Sequence, residues 1–282
     1  MTTTSSRQLD INGQPILSVS SIQTRGGNYQ LRQNLNGRTV PLESSEEKVI
    51  SESGGVKIVE RVIKRYDPDG KPLPAQRMRI EERKEPDGST RTLTTVSTAD
   101  VNGNYRVQER TNMVTRKSGD RTETTMTLDA PTMNGTLETI EKFETQSQVA
   151  GSKTTETSTR FRRDTNGRFS ELAKQTREAV VNGGQTTENV AEYENTSGSL
   201  RMIRQVTSQS NPSGTKETTV FTPNTDGKMQ VSYQQTFEKK QTSDGTVETT
   251  TIRVAEPRDP GKLGPPRKAE EVVCTGDCVP KK

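Results

Sequence analysis

The chain has 282 residues and 31.2 kDa, with 26% hydrophobic and 4% aromatic residues, no Trp and a mean hydropathy of -0.94. This excludes a thick conventional core, because burial at about 25 cal/mol per Å² cannot offset chain entropy when few apolar side chains are available. The low hydrophobicity is shared with disordered chains, which stay an alternative. The 41 basic and 37 acidic residues nearly cancel to +4, however, against the high net charge that usually accompanies disorder, and no one-sided basic stripe marks a nucleic-acid binder.

Residues 1–35 form an irregular lead-in. Turns are expected at Asn12-Gly13 and Gly26-Gly27, and Ile16, Leu17, Val19 and Ile22 suit one or two opening strands. Residues 36–257 are a tandem array in which a turn recurs about every 16 residues, with two kinds alternating in a repeat of about 32. One kind runs through Asn36-Gly37, Asp69-Gly70, Asn102-Gly103, Asn134-Gly135, Asn166-Gly167, Ser197-Gly198 and Asp226-Gly227. The other runs through Gly54-Gly55, Asp87-Gly88, Ser118-Gly119, Ala150-Gly151, Asn182-Gly183, Ser213-Gly214 and Asp244-Gly245. Asn-Gly and Asp-Gly supply the positive φ angles of tight hairpin turns.

Between the turns lie Thr-rich segments that suit a pleated, half-exposed surface, and about forty Thr residues occur in the chain. A Glu-Thr signature follows the second kind of turn, as at Thr122-Glu123-Thr124-Thr125, Thr155-Glu156-Thr157 and Glu248-Thr249-Thr250. Apolar residues alternate: Met229, Val231, Tyr233 and Phe237 share one parity, as do Val56, Ile58, Val62 and Tyr66, then Tyr105, Val107 and Met113, then Met126 and Leu128. Phe169 to Val181 also fits a helix face, but its place between two turns at the common spacing favours a strand. The fold expected is all-β: a long antiparallel meander of hairpin repeats, about 13 to 16 strands, in an open single-layer or curled sheet. Residues 258–282 are a Pro/Gly-rich tail, and Pro257, Pro260, Pro265 and Pro266 argue against further ladder pairing.

Chemistry is sparse. No His is present, which removes the commonest general acid/base and metal ligand and the usual Ser-His and Cys-His pairs. Glu81-Glu82 and Glu270-Glu271 lack the apolar surroundings that raise a carboxyl pKa. Asp67-Pro68-Asp69-Gly70 and Thr225-Asp226-Gly227 lack the remaining ligands of a calcium loop, and a hairpin turn explains them. The basic run Arg160-Phe161-Arg162-Arg163 is followed at once by Asp164, as on a solvated surface of mixed sign. No catalytic, cofactor-binding or metal-binding residue is assigned, and the expectation is a non-enzyme. Cys274 and Cys278 are the candidate disulfide, a local CxxxC loop that implies an oxidising compartment. A crosslink between chains, half of a shared metal site and two idle thiols are the alternatives.

No apolar run is long enough to cross a membrane as a helix. Segments such as Thr154–Thr159 fail as the lipid-facing band of a transmembrane barrel. The opening Met1-Thr2-Thr3-Thr4-Ser5-Ser6 is no secretory leader, so either the protein is not exported by that route or the chain is a mature form.

Tyr66-Asp67-Pro68-Asp69-Gly70, with the turns Asn102-Gly103 and Asn166-Gly167, resembles the Tyr-Asp (YD, Rhs-type) repeats of bacterial surface and toxin-shell proteins. In composition the array is similar to spirochaete outer-surface lipoproteins with a single-layer sheet. It has no lipidation Cys near its N-terminus, so that family's anchoring does not carry over. Both resemblances imply a bacterial surface or exported protein. The expected function is a structural or adhesive element, extracellular or at the cell surface, that pairs with itself through unpaired strand edges or presents a sheet face to another protein.

Overall fold

A computed structural model describes the backbone of residues 2–9, 15–23, 28–35, 38–243, 245–256 and 259–276, and the side chains of 28–33 and of 38–274 apart from 244, 257, 258 and 260. The expected turns at Asn12-Gly13, Gly26-Gly27 and Asn36-Gly37, and Asp244 of a further one, lie outside the described residues. The chain is all-β and antiparallel. Three strands, β1 (Thr2–Leu9), β2 (Pro15–Gln23) and β3 (Tyr29–Leu35), precede β4 (Arg38–Ser53), β5 (Val56–Arg65), β6 (Gln76–Lys84) and β7 (Thr90–Ala99). The array continues as β8 (Tyr105–Ser118), β9 (Arg121–Pro131), β10 (Leu137–Ala150), β11 (Lys153–Arg163), β12 (Phe169–Asn182) and β13 (Gln185–Thr196). It ends with β14 (Ser199–Ser210), β15 (Lys216–Pro223), β16 (Met229–Thr242), β17 (Gly245–Glu256), β18 (Asp259–Leu263) and β19 (Arg267–Gly276).

From β1 to β17 every strand pairs with its neighbours in sequence, so the meander and the strand at Phe169 to Val181 stand as expected. The C-terminal region differs from the expectation. Pro257 lies outside the described residues, and Pro260 sits within β18, which pairs with β17 at Ala255–Leu263 and Glu256–Asp259. Pro265 and Pro266 precede β19, which begins at Arg267 and has every backbone N–H available for pairing. Accordingly β19 rejoins the sheet, pairing with β17 on one side and β1 on the other.

The turns come in two sizes. Two-residue loops such as Gly54-Gly55, between the paired residues Ser53 and Val56, reverse the chain tightly. Five-residue loops start on an Asx or similar residue, and the Asn-Gly or Asp-Gly pair fills their third and fourth positions. In Asp100–Asn104 the Asp100 carboxylate accepts from the backbone N–H of Asn102 and of Asn104, each at 2.9 Å. Asp67, Asp164 and Asn224 repeat that pattern. Gly103 takes φ +81° with open space where a Cβ would stand, so only backbone strain opposes a side chain there. Gly103→Ala is expected to cost about 1 kcal/mol. A thermal melt unchanged from the parent would contradict this.

Six of the hairpins also carry one extra residue at a matching place, whereas the β5–β6 pairing runs without a shift. Leu42, Gln108, Ile140, Leu172, Ile203 and Ser232 are skipped in the pairing of β4, β8, β10, β12, β14 and β16 with the preceding strand. Such bulges bend the strand and increase its twist, so a bulge in each of these hairpins curls the sheet progressively. They also switch faces. Directly paired residues share a face, so the registers sort the side chains into a first face, with Arg61, Met126, Glu141 and Val220, and a second, with Arg77, Arg110, Asp129 and Phe161. Met229 and Val231 fall on the second face and Tyr233 and Phe237 on the first, because Ser232 interrupts the alternation. Tyr105 and Val107 are likewise separated from Met113 by Gln108.

Among the described residues the buried apolar side chains are Ala179 and Val220, at 7% and 2% exposure. Buried polar residues are more numerous: Ser45, Glu141, Ser208 and Thr246 on the first face and Asp129 on the second. The sheet is thus a single layer stabilised by its ladder and by pairs across its surfaces.

Candidate interaction face

The most enclosed part of the first face lies on β10 to β16. It starts from the bulge at Ile140, which sends Thr139 and Glu141 to opposite faces. On the second face Asp129 accepts from Thr139 Oγ1 at 2.7 Å and from Arg110 Nε and Nη2 at 3.0 and 2.9 Å. On the first face Glu141, 4% exposed, takes two arginines. Arg160 donates through Nε and Nη2 at 2.9 and 2.7 Å, and Arg162 through the same atoms at 3.1 and 2.8 Å. Arg162 stands directly opposite Glu141, while Arg160 stands opposite Phe143 with its guanidinium 5.5 Å from the ring centroid. Burial opposes the charge of Glu141, but the hydrogen bonds from Arg162 and Arg160 outweigh it and hold the carboxyl below its usual range.

A second cluster follows two strands on. Glu188 is held by Arg177, by Ser208 Oγ at 3.2 Å and by Lys216 Nζ at 3.6 Å. The Arg177 hydrogen bond, set against burial, lowers its pKa. Arg204 bridges Glu192 at 3.3 Å and the Tyr233 hydroxyl at 3.5 Å. Phe143, Arg160, Ala173, Gln175 and Glu192 line a shallow open groove of about 270 Å³ between the two clusters.

The N-terminal end of the same face carries a third cluster. Glu43 joins Tyr29 and Arg65, and Glu47 accepts from Arg61 at 2.5 Å. Between the charged ends, Val59, Met78, Ile80, Met113, Met126 and Leu128 share the face and are half-buried. The first face therefore reads charged, apolar, charged across the strands.

No protein-family model, curated protein or solved structure matches this chain.

The basic run noted in the sequence is divided among carboxylates: Arg160 and Arg162 meet Glu141, and Arg163 meets Glu138 at 2.5 Å. Glu81 has Arg83 at 3.5 Å and is half-buried, while Glu82 is exposed. Cys274 lies on β19 opposite Thr246 and Thr4 and is disulfide-bonded; Cys278 lies outside the described residues. Among the described residues no group of three or more acidic or Cys side chains is placed to hold a metal ion. Among the described residues no helix is long and apolar enough to cross a membrane. The Glu141 and Glu188 clusters escape a reading of the sequence, because their partners lie 11 to 28 positions away and meet only through a register set by the bulges.

Proposed function

We propose that this chain is a non-catalytic repeat protein, exported or displayed at a cell surface, that acts as a structural or adhesive element through self-association. The observation that carries the reading is surface. The accessible area is 18628 Å², whereas a compact protein of this mass has about 12,000 Å². A chain laid out in one layer has spent its length on two polar faces, which suits contact and span better than enclosure of a substrate. The disulfide at Cys274 supports an oxidising compartment. Light scattering over a wide concentration range is expected to show a mass that grows with concentration. A constant monomer mass would overturn the reading.

A second reading is a binding module for another protein. It is favoured by the half-buried strip of Met78, Met113, Met126 and Leu128, since flexible thioethers adapt to varied partners. A stoichiometric complex in pull-downs, without self-association, would replace the first reading by this one.

A further inference from the structure

One ladder in the sheet differs from the others in origin. Strands β1 to β17 are each joined to their partners by a short connection, so those ladders form locally. The β1–β19 ladder joins the two ends of the chain through seven residue pairs, from Thr2 opposite Gly276 to Gln8 opposite Glu270, with no turn linking them. We propose that this ladder also forms between copies, β19 of one chain pairing with β1 of the next, so that the protein assembles head to tail. The inference rests on the self-association reading above and specifies its interface.

Three features support it. First, the same backbone hydrogen bonds are available within and between chains, so the intramolecular form is favoured only by the effective concentration of its own end. Second, little else rewards closure. The sheet must curl far enough for its ends to meet, yet among the described residues only Ala179 and Val220 are buried apolar side chains. Strand β1 has no apolar residue before Leu9, so opening this ladder sacrifices backbone bonds that a second copy restores. Third, the faces match. Thr4 lies opposite Cys274 and Ser6 opposite Val272, and these positions continue the first face on both sides of the junction. A chain docked in this register extends both faces without reversal and leaves its own β1 free for the next copy. That is a heterologous contact, which propagates.

Mixed single-cysteine variants provide the test. In full-length chains with Cys274→Ser and Cys278→Ser, one preparation carries Ser6→Cys and the other Val272→Cys. The two are mixed at rising concentration and oxidised. A reducible heterodimer at twice the mass of 31.2 kDa is expected, with a yield that increases with concentration and exceeds that of Ser6→Cys mixed with Met113→Cys. The proposal is overturned if the mixture gives no heterodimer while a chain carrying both Ser6→Cys and Val272→Cys crosslinks only within itself. It is equally overturned if that doubly substituted chain forms no crosslink at all. Growth of mass in light scattering without the heterodimer would sink this interface but keep the self-association reading; a monomer throughout would sink both.

Discussion

Val220→Asp is expected to destabilise the C-terminal part of the sheet by about 3 kcal/mol, because a carboxylate forced into an apolar site must either stay neutral or lack a partner. Val220 is 2% exposed on β15, opposite Val206 on β14 and Tyr233 on β16. Arg204, two positions from Val206 on that face, is already engaged by Glu192 and the Tyr233 hydroxyl. Val220→Ala removes only methyl groups and is expected to cost about 2 kcal/mol. In an array whose units contact only their neighbours, the damage stays local. Hydrogen exchange should therefore accelerate in β14 to β16 and remain at parent rates in β7 to β9. Uniform acceleration throughout the chain would show a single cooperative unit instead, and a loss under about 1 kcal/mol for the Asp variant would show that the site opens freely to water.

The repeat was legible because its punctuation is chemical. Asn102-Gly103 and Asn166-Gly167 mark turns by the backbone angles they permit, and the spacing alone turned Phe169 to Val181 from a helix into β12. The bulges were not legible. Leu42, Leu172, Ile140 and Ile203 are aliphatic but Gln108 and Ser232 are polar, so no one residue type marks the positions, and a bulge depends on how two strands are offset rather than on the side chain left over. Missing them misplaces every side chain beyond, which is why Val231 and Tyr233 share a parity but not a face. The pairing of β19 was hidden for a related reason. Prolines describe their own positions, and the ten residues after Pro266 read as tail only while their partner strands are unknown. The Glu141 cluster inherits both difficulties. Its members lie on adjacent strands, and the bulge at Ile140 decides that Glu141 faces Arg160 and Arg162 rather than Arg110.

That cluster gives the second large effect. Glu141→Gln is expected to cost about 2 kcal/mol at pH 7, since it removes the charge shared by two guanidinium groups and puts an NH2 donor where one carboxylate oxygen accepted from them. The figure sits below that for a fully buried pair because the side chains of Arg160 and Arg162 remain 40% and 59% exposed, so water screens part of the loss. The dependence on pH identifies the cause. Glu141 has a carboxyl pKa held below its unfolded value. On acidification the unfolded chain therefore takes up its proton first. The stabilisation is complete above the unfolded carboxylate pKa of about 4.3 and is lost as pH falls through the lower folded value. Glu43 and Glu188 are shifted the same way, so the parent protein should hold a level stability from neutral pH to about pH 5 and weaken steeply below about pH 4. The Glu141→Gln variant no longer has that carboxyl to protonate, and its deficit relative to the parent should shrink as the pH is lowered over the same interval. Urea titrations of both proteins at pH 7, 5, 4 and 3 measure this directly. A deficit that stays constant across the series would assign the loss to packing and remove the ion pairs from the account of what holds the single layer together.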